Sequence, residues 1–471
     1  MRIDIEQLID EAPLGALHGR VLLLCALAAF LDGLDISAMA SATPSVAAEW
    51  HVAPGALTWI ATAALIGIAL SALFVSPLGD YFGRRAVLLG SFALVGVSTL
   101  MAATTSASHP SAAWSALSFS SLLGPHLVSQ GGNQLLVWRL LTGLGLGASL
   151  PNALALGAEY SPKRSRTALV ALLACAISLG SATSGQLAPT LIHWGGWRAI
   201  FVAGGSIALL AWVPLLALPE SPRFLILRGV EPKKIGSLLQ KLGGGYRYSA
   251  EDRFTLTDPV SRRVPVGQLL TGRLLPATLL LWVVFFVNLS LLYVFSQWLP
   301  TLLNQAGLPL ARALRTATLF QLGGVAGGFV LAALMKRWGP FVLLIVSYTL
   351  ACIALLALSL HLTGLLLVSL AVLITGNGIN GAQVGLNAVS ATLYPTAARA
   401  SGVGWALGIG RFGAIVATFL AGTLLYKGSS SEHVFWLTAL PTFGCALCVA
   451  LLRAAVARSA PTPVASATTS P

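Results

Sequence analysis

The sequence predicts an all-α integral membrane protein with twelve transmembrane helices in two pseudo-symmetric six-helix halves. Three observations predict it. The chain is 56% hydrophobic and only 9% charged, with a mean hydropathy of +0.83, too apolar for water to be its only solvent. Charge-poor runs of about 20 residues, enough to cross a ~30 Å hydrocarbon layer, recur throughout. One long polar segment, 219–275, divides these runs six and six.

The runs lie at 19–46, 57–78, 86–104, 134–157, 166–190, 198–218, 276–300, 313–335, 340–361, 363–393, 399–425 and 434–455. This organisation makes 1–218 a first half, 219–275 a central loop, 276–458 a second half and 459–471 a disordered Ser/Thr/Pro/Ala-rich tail. Acidic residues before the first run (Asp4, Glu6, Asp10, Glu11) are unlike the basic start of a cleavable signal peptide. The run is therefore expected to stay as a span. Segment 105–133 is long, uncharged and contains His109 and His126; a short lid helix and a flexible insertion are both open readings.

A net charge of +13 would suit nucleic acid, but its distribution does not. With the N-terminus inside, 22 of 28 basic residues fall on inside segments, and only Arg198, Arg312, Arg315 and Lys427 lie outside. This is the positive-inside pattern. It places both termini in the cytoplasm, in a cytoplasmic (inner) membrane, with anionic lipid rather than nucleic acid as partner. The five cysteines sit in apolar runs and read as packing residues; Cys445 and Cys448 have a redox-like spacing without a redox context. No metal or organic cofactor is expected. No set of residues suggests an enzyme, and a monomer is the default.

Two aspartates, Asp32 and Asp35, lie inside the first run. An ionised carboxylate at mid-membrane costs about 3 kcal/mol even on a lenient scale. Three residues apart, the pair shares a helix face. Such groups either handle protons or cations in a wet cavity, or are neutralised by a buried arginine. Two arginines lie within spans: Arg139 near the outer end of the fourth and Arg411 in the middle of the eleventh. A guanidinium fork matches a carboxylate and does not discharge, so each is a candidate for a substrate anion or for the aspartates. Arg139 is read first as a proton-coupling partner of span one, and Arg411 as a substrate-carboxylate site.

The second half supplies amides. Asn380, Gln383, Asn387 and Tyr394 fall on one helical face of span ten. Asn288, Tyr293 and Gln297 line span seven, with Trp298 readable as an interface marker, and Gln321 lies in span eight. Amides beside aromatic faces suit a planar ring with hydroxyls.

The loop Ser76-Pro-Leu-Gly-Asp-Tyr-Phe-Gly-Arg-Arg85 resembles the signature of the major facilitator superfamily, with Ser76 and Tyr81 departing from it. Asp80, Arg84 and Arg85 there form a candidate conformational latch. The equivalent loop of the second half, Met335-Lys-Arg-Trp-Gly-Pro340, has Lys336 where similar transporters place an aspartate. Asp32-Gly-Leu-Asp35, the string Arg139–Asn152 followed by Glu159-Tyr-Ser-Pro-Lys-Arg164, Gly381–Asn387 and Tyr394–Gly413 resemble the aromatic acid:proton symporter family. The resemblance implies the major facilitator fold, alternating access about a central site, and a proton-coupled import of an aromatic carboxylate of the benzoate, hydroxybenzoate or phenylpropionate type. Pro219-Glu-Ser-Pro-Arg223 is shared with sugar porters. A sugar, polyol or other metabolite porter and an aromatic-compound efflux pump are therefore the alternatives.

Overall fold

The computed structural model describes residues 2–12, 15–106, 130–242, 253–255, 269–271, 274–360, 364–394 and 396–459. The expected tail beyond 459, and all of segment 105–133 except Thr105, Ser106 and the start of a helix at Gln130, lie outside the described residues.

A three-residue strand β1 (Arg2–Asp4) leads into α1 (Ile5–Glu11), followed by the long apolar helix α2 (Ala16–Glu49). Next come α3 (Thr58–Phe74), the short α4 (Leu78–Phe82), α5 (Arg84–Ala103) and α6 (Gln130–Tyr160). Then α7 runs from Arg166 to Leu215 but kinks at Gly195 and Gly196. Gly196 has φ of 63°, a left-handed conformation natural to glycine. The kink splits α7 into two spans, so the eleven long apolar helices of the described chain deliver the twelve crossings that the hydropathy predicts.

The central segment holds α8 (Pro222–Leu227), α9 (Pro232–Gln240) and β2 (Arg253–Thr255). The second half contains α10 (Leu274–Gln305), α11 (Leu310–Trp338) and α12 (Pro340–Ser359). Span ten is α13 (Leu365–Gly376), a wider π-type turn at Asn377–Gly381, and α14 (Ala382–Leu393). Finally α15 (Thr396–Tyr426) and α16 (Ser431–Ser459) close the chain.

One end of the bundle carries the termini and the Arg84/Arg85 loop; we call it the basic end. There the N-terminus is clasped in a way no sequence pattern indicates. β1 pairs in parallel with β2, Arg2 opposite Arg253 and Asp4 opposite Thr255. Ile5 and Ile9 of α1 bury against a cluster that includes Ile235 and Leu239 of α9, and Asp10 pairs with Lys163 at 3.1 Å.

The two halves join at the opposite end. Gln186 of α7 donates to Thr318 of α11 at 2.8 Å, and the Trp59 and Phe419 rings of α3 and α15 meet with centroids 4.7 Å apart. Towards the basic end the seam between α3 and α15 widens into a cleft of about 760 Å³ bordered by Leu73, Trp405 and Phe412. The molecule is shut at one end and parted at the other.

Span one depends on a backbone-to-backbone approach. A Cβ on Gly33 would lie 1.9 Å from the Ile177 carbonyl oxygen, and one on Gly180 would lie 1.9 Å from that of Phe30. Small residues let membrane helices pack this closely, and Ser181 uses the proximity to donate to the Gly33 carbonyl at 2.8 Å. Gly180→Leu should force α2 and α7 apart at a cost above the ~1–3 kcal/mol usual for overpacking. Gly90→Ala, with open space at its Cβ, should be silent. Thermal unfolding of the two purified variants checks this: a large loss of melting temperature is expected for the first alone.

Candidate functional site

Both aspartates of α2 are buried, at 2% and 3% exposure, but their partners differ. Asp35 accepts from Arg139 Nη1 at 3.1 Å on Oδ2 and from Thr99 of α5 at 2.8 Å on Oδ1. Arg139 is itself 1% exposed and lies over the Phe201 ring at 5.9 Å. Low dielectric makes each charge costly alone, so the pair holds three helices, α2, α5 and α6, in one arrangement. Among the described residues no cation pairs with Asp32. Its Oδ2 lies 2.5 Å from Ser149 Oγ of α6, and its Oδ1 is buried with no partner among the described residues.

In the second half the amides form two networks. Asn288 of α10 donates to Gln383 Oε1 at 2.8 Å and accepts from the Tyr348 hydroxyl of α12 at 2.8 Å. Gln383 continues to Asn387 at 3.0 Å, which is exposed. Separately, Asn380 donates to Gln321 at 3.0 Å, and Gln321 to Ser296 Oγ at 3.1 Å. The single polar face expected for span ten is thus divided. The π-type turn carries Asn380 towards α11, while Gln383 and Asn387 face α10. Such wide turns are frequent at functional sites.

Tyr394 leaves the stripe altogether. It ends α14 in an extended conformation, because the following Pro395 disfavours a helical residue before it, and it is buried at 1% exposure. Trp298 is no interface marker: it is fully buried and its indole donates to the Thr418 carbonyl at 3.0 Å. Gln297 is also buried, with Oε1 unpartnered among the described residues.

Arg411 sits midway along α15 and, with Tyr293 of α10, faces Leu65, Ile68 and Ala69 of α3 across a narrow gap. Among the described residues no carboxylate pairs with it and no hydrogen bond engages its guanidinium. Arg139 is neutralised by Asp35; Arg411 is half-buried and unmatched.

At the basic end Arg84 binds Glu159 of α6 at 2.7 Å and Asp80 at 3.1 Å. Asp80 is 69% exposed, so its share is small. Arg85 donates to the Leu216 carbonyl at 2.7 Å, and its backbone N–H donates to Glu220 Oε1 at 3.2 Å. The cluster ties α5 to the ends of α6 and α7.

A family model described as Major Facilitator Superfamily matches residues 25–418 and again 317–470. The chain belongs to the major facilitator superfamily. It is 38% identical to a gallate transporter of Pseudomonas putida, over 98% of each chain. It is 36% identical to the 4-hydroxybenzoate transporter PcaK of the same organism, over 93% of this chain and 92% of that one. Among solved structures, the inward-open xylose transporter XylE of E. coli superimposes with a TM-score of 0.66 at 18% identity, over 91% of this chain and 95% of that one. That likeness speaks to the fold alone.

As a major facilitator the protein is a multi-pass membrane transporter and not an enzyme. Within that frame, the structure brings Asp35 and Arg139 together, links Asn288, Gln383 and Asn387, links Gln321 and Asn380, and sets Tyr293 beside Arg411. Gln297 stands apart from both networks. Asp80 and Arg84 meet as the loop motif suggests, but Arg85 turns to Leu216 and Glu220. Sequence reasoning missed Thr99, Ser149, Tyr348, Glu159 and Glu220 as partners. Ser149, Glu159 and Glu220 lay within the motif strings quoted above, whereas Thr99 and Tyr348 carried no signal.

Breaking one side of the buried pair leaves a charge without a partner. Asp35→Asn or Arg139→Gln should each destabilise the protein by about 3–5 kcal/mol. The double variant should recover a large part of that loss, as read by thermal unfolding in lipid nanodiscs.

Proposed function

We propose that this transporter imports an aromatic carboxylate across the cytoplasmic membrane in symport with protons, by alternating access between its two halves. The observation that carries the reading is Arg411, a mid-span guanidinium that no carboxylate among the described residues neutralises. A fixed cation at that depth is costly unless an anion arrives, and a substrate carboxylate matches its fork. The names of the relatives, gallate and 4-hydroxybenzoate transporters, supply the aromatic class.

The roles then follow from chemistry. Arg411 receives the carboxylate and Tyr293 flanks it. Asn288, Gln383, Asn387, Gln321 and Asn380 offer amides to ring hydroxyls, with Gln297 as a further candidate deeper in α10. Asp32 and Asp35, with Arg139, couple the proton. Protonating a carboxylate lowers the cost of closing the cavity around it, and deprotonation on the inside accompanies release. The half containing α2 to α7 and the half containing α10 to α16 rock about this site. The Asp80, Arg84 and Arg85 cluster steadies the basic end of the first half.

The basic end with both termini is cytoplasmic under the positive-inside bias, with residues 219–275 as its connecting loop. The protein acts as a monomer among anionic lipids. One proton with one monoanion moves no net charge; each additional proton would add about 2.3 kcal/mol per 100 mV.

Uptake into proteoliposomes of radiolabelled benzoate, 4-hydroxybenzoate, gallate and 3-phenylpropionate, with and without an inward proton gradient, tests the proposal. Gradient-dependent accumulation of at least one acid, abolished by a protonophore, is the expected result. It should be lost in correctly inserted Asp32→Asn protein. Accumulation of xylose or an organic cation with no acid accumulating would overturn the substrate class.

A further inference from the structure

The hydroxyl protons around the two aspartates can be counted, and the counts differ. Asp35 receives one donor on each oxygen: Arg139 Nη1, which can only donate, and Thr99 Oγ1, which among the described residues donates to Asp35 alone. Both bonds suit an ionised carboxylate. Ser149 also has one proton to give, but two acceptors lie within bonding distance: Asp32 Oδ2 at 2.5 Å and the Leu146 carbonyl oxygen at 3.0 Å. One proton fully satisfies one of them. Both contacts are full two-centre hydrogen bonds at once when Asp32 brings a proton of its own: its Oδ2–H then donates to Ser149 Oγ, and the Ser149 hydroxyl donates to Leu146. With an ionised Asp32 the single hydroxyl proton is split in a weaker bifurcated bond.

The remaining geometry agrees. Asp32 Oδ1 is buried with no partner, acceptable for the carbonyl of a neutral acid but expensive for half of a carboxylate. Among the described residues, the surroundings offer no compensating cation. On α2 itself the titratable neighbours are Asp35 and, two turns away, Cys25. On α6 the charged group of the span is Arg139, already taken by Asp35. α7 presents Ile177, Gly180 and Ser181, with Cys175 as its ionisable group nearby. From α5 comes the neutral Thr99. Tyr293 of α10 and Arg411 of α15 line a separate gap.

We propose that Asp32 is the acid that carries the transported proton, that Asp35 stays ionised against Arg139, and that Ser149 is the positioning residue that responds to the protonation of Asp32. This deepens the proton-coupled reading above and rests on it. When the acid gives its proton to water in the opened cavity, the Ser149 hydroxyl rotates from Leu146 to the new carboxylate. No covalent bond of the serine changes. Because donation to an anion is stronger than acceptance from a neutral acid, Ser149 favours release, and its loss should hold the proton to higher pH.

Infrared difference spectroscopy of the substrate-free protein in lipid tests this without any transported acid, so its outcome is separate from that of the aromatic-substrate reading. A protonated-carboxyl C=O band should be present in the wild type, absent in Asp32→Asn and retained in the Asp35→Asn/Arg139→Gln double variant, which leaves no freed guanidinium beside Asp32. In Ser149→Ala the band should move to higher frequency, and the pH at which it disappears should rise by roughly one unit. Ser149→Thr, which keeps the hydroxyl, should restore both, and Ser149→Cys should shift both in the alanine direction by less. Absence of any band sensitive to Asp32→Asn, or loss of that band in the Asp35→Asn/Arg139→Gln double variant, would overturn the assignment of the proton. A Ser149→Ala band unchanged in frequency and titration would overturn the role of the serine.

Discussion

Everything in this transporter follows from the cost of placing charge where water is scarce. Three ionisable groups in α2 and α6, Asp32, Asp35 and Arg139, lie almost wholly out of solvent. Two of them cancel as an ion pair supported by Thr99. The third has a single hydroxyl neighbour. Arg411 in the other half is half-buried midway along α15. Among the described residues, one half therefore holds a carboxyl without a cation, and the other holds a cation without a carboxylate. A proton and a carboxylate substrate would complete the two sets together, which is a physical rationale for coupling their movement.

The packing sets the stage on which that coupling acts. At the end away from the termini, Gln186–Thr318 and Trp59–Phe419 hold the halves together, whereas the α3–α15 seam opens at the basic end. Within the described residues of the first half, by contrast, the helices are tied closely to one another. Gly33 and Gly180 bring α2 and α7 to backbone contact, and the Arg84–Glu159 and Arg85–Glu220 contacts bind the basic ends. The clasp of β1 on β2 and of α1 on α9 adds the N-terminus to the same body.

The twelve crossings were legible because length and apolarity are what a bilayer selects. The acidic pair was legible because charge in an apolar run is conspicuous. Even the partnership of Arg139 with span one could be reasoned from cost. The hydroxyls that distinguish Asp32 from Asp35 could not. Serine and threonine are ordinary in membrane helices, and which of them meets a carboxylate depends on helix rotation that no single sequence specifies. Span ten shows the same limit: a regular period placed Asn380, Gln383, Asn387 and Tyr394 on one face, and a π-type turn and a proline redirected two of them. The N-terminal clasp was illegible because three-residue strands carry no pattern of their own.

The central claim is that Arg411 exists to receive a carboxylate, and the most direct test is chemical. Binding of 4-hydroxybenzoate and of its uncharged amide should be compared in wild-type and Arg411→Gln protein, by calorimetry in detergent or nanodiscs. The account predicts that the wild type prefers the acid by at least about tenfold, since a charged pair lost from a desolvated site costs roughly 2–5 kcal/mol, and that Arg411→Gln erases the preference while still binding the amide. An unchanged preference for the acid in Arg411→Gln would contradict it.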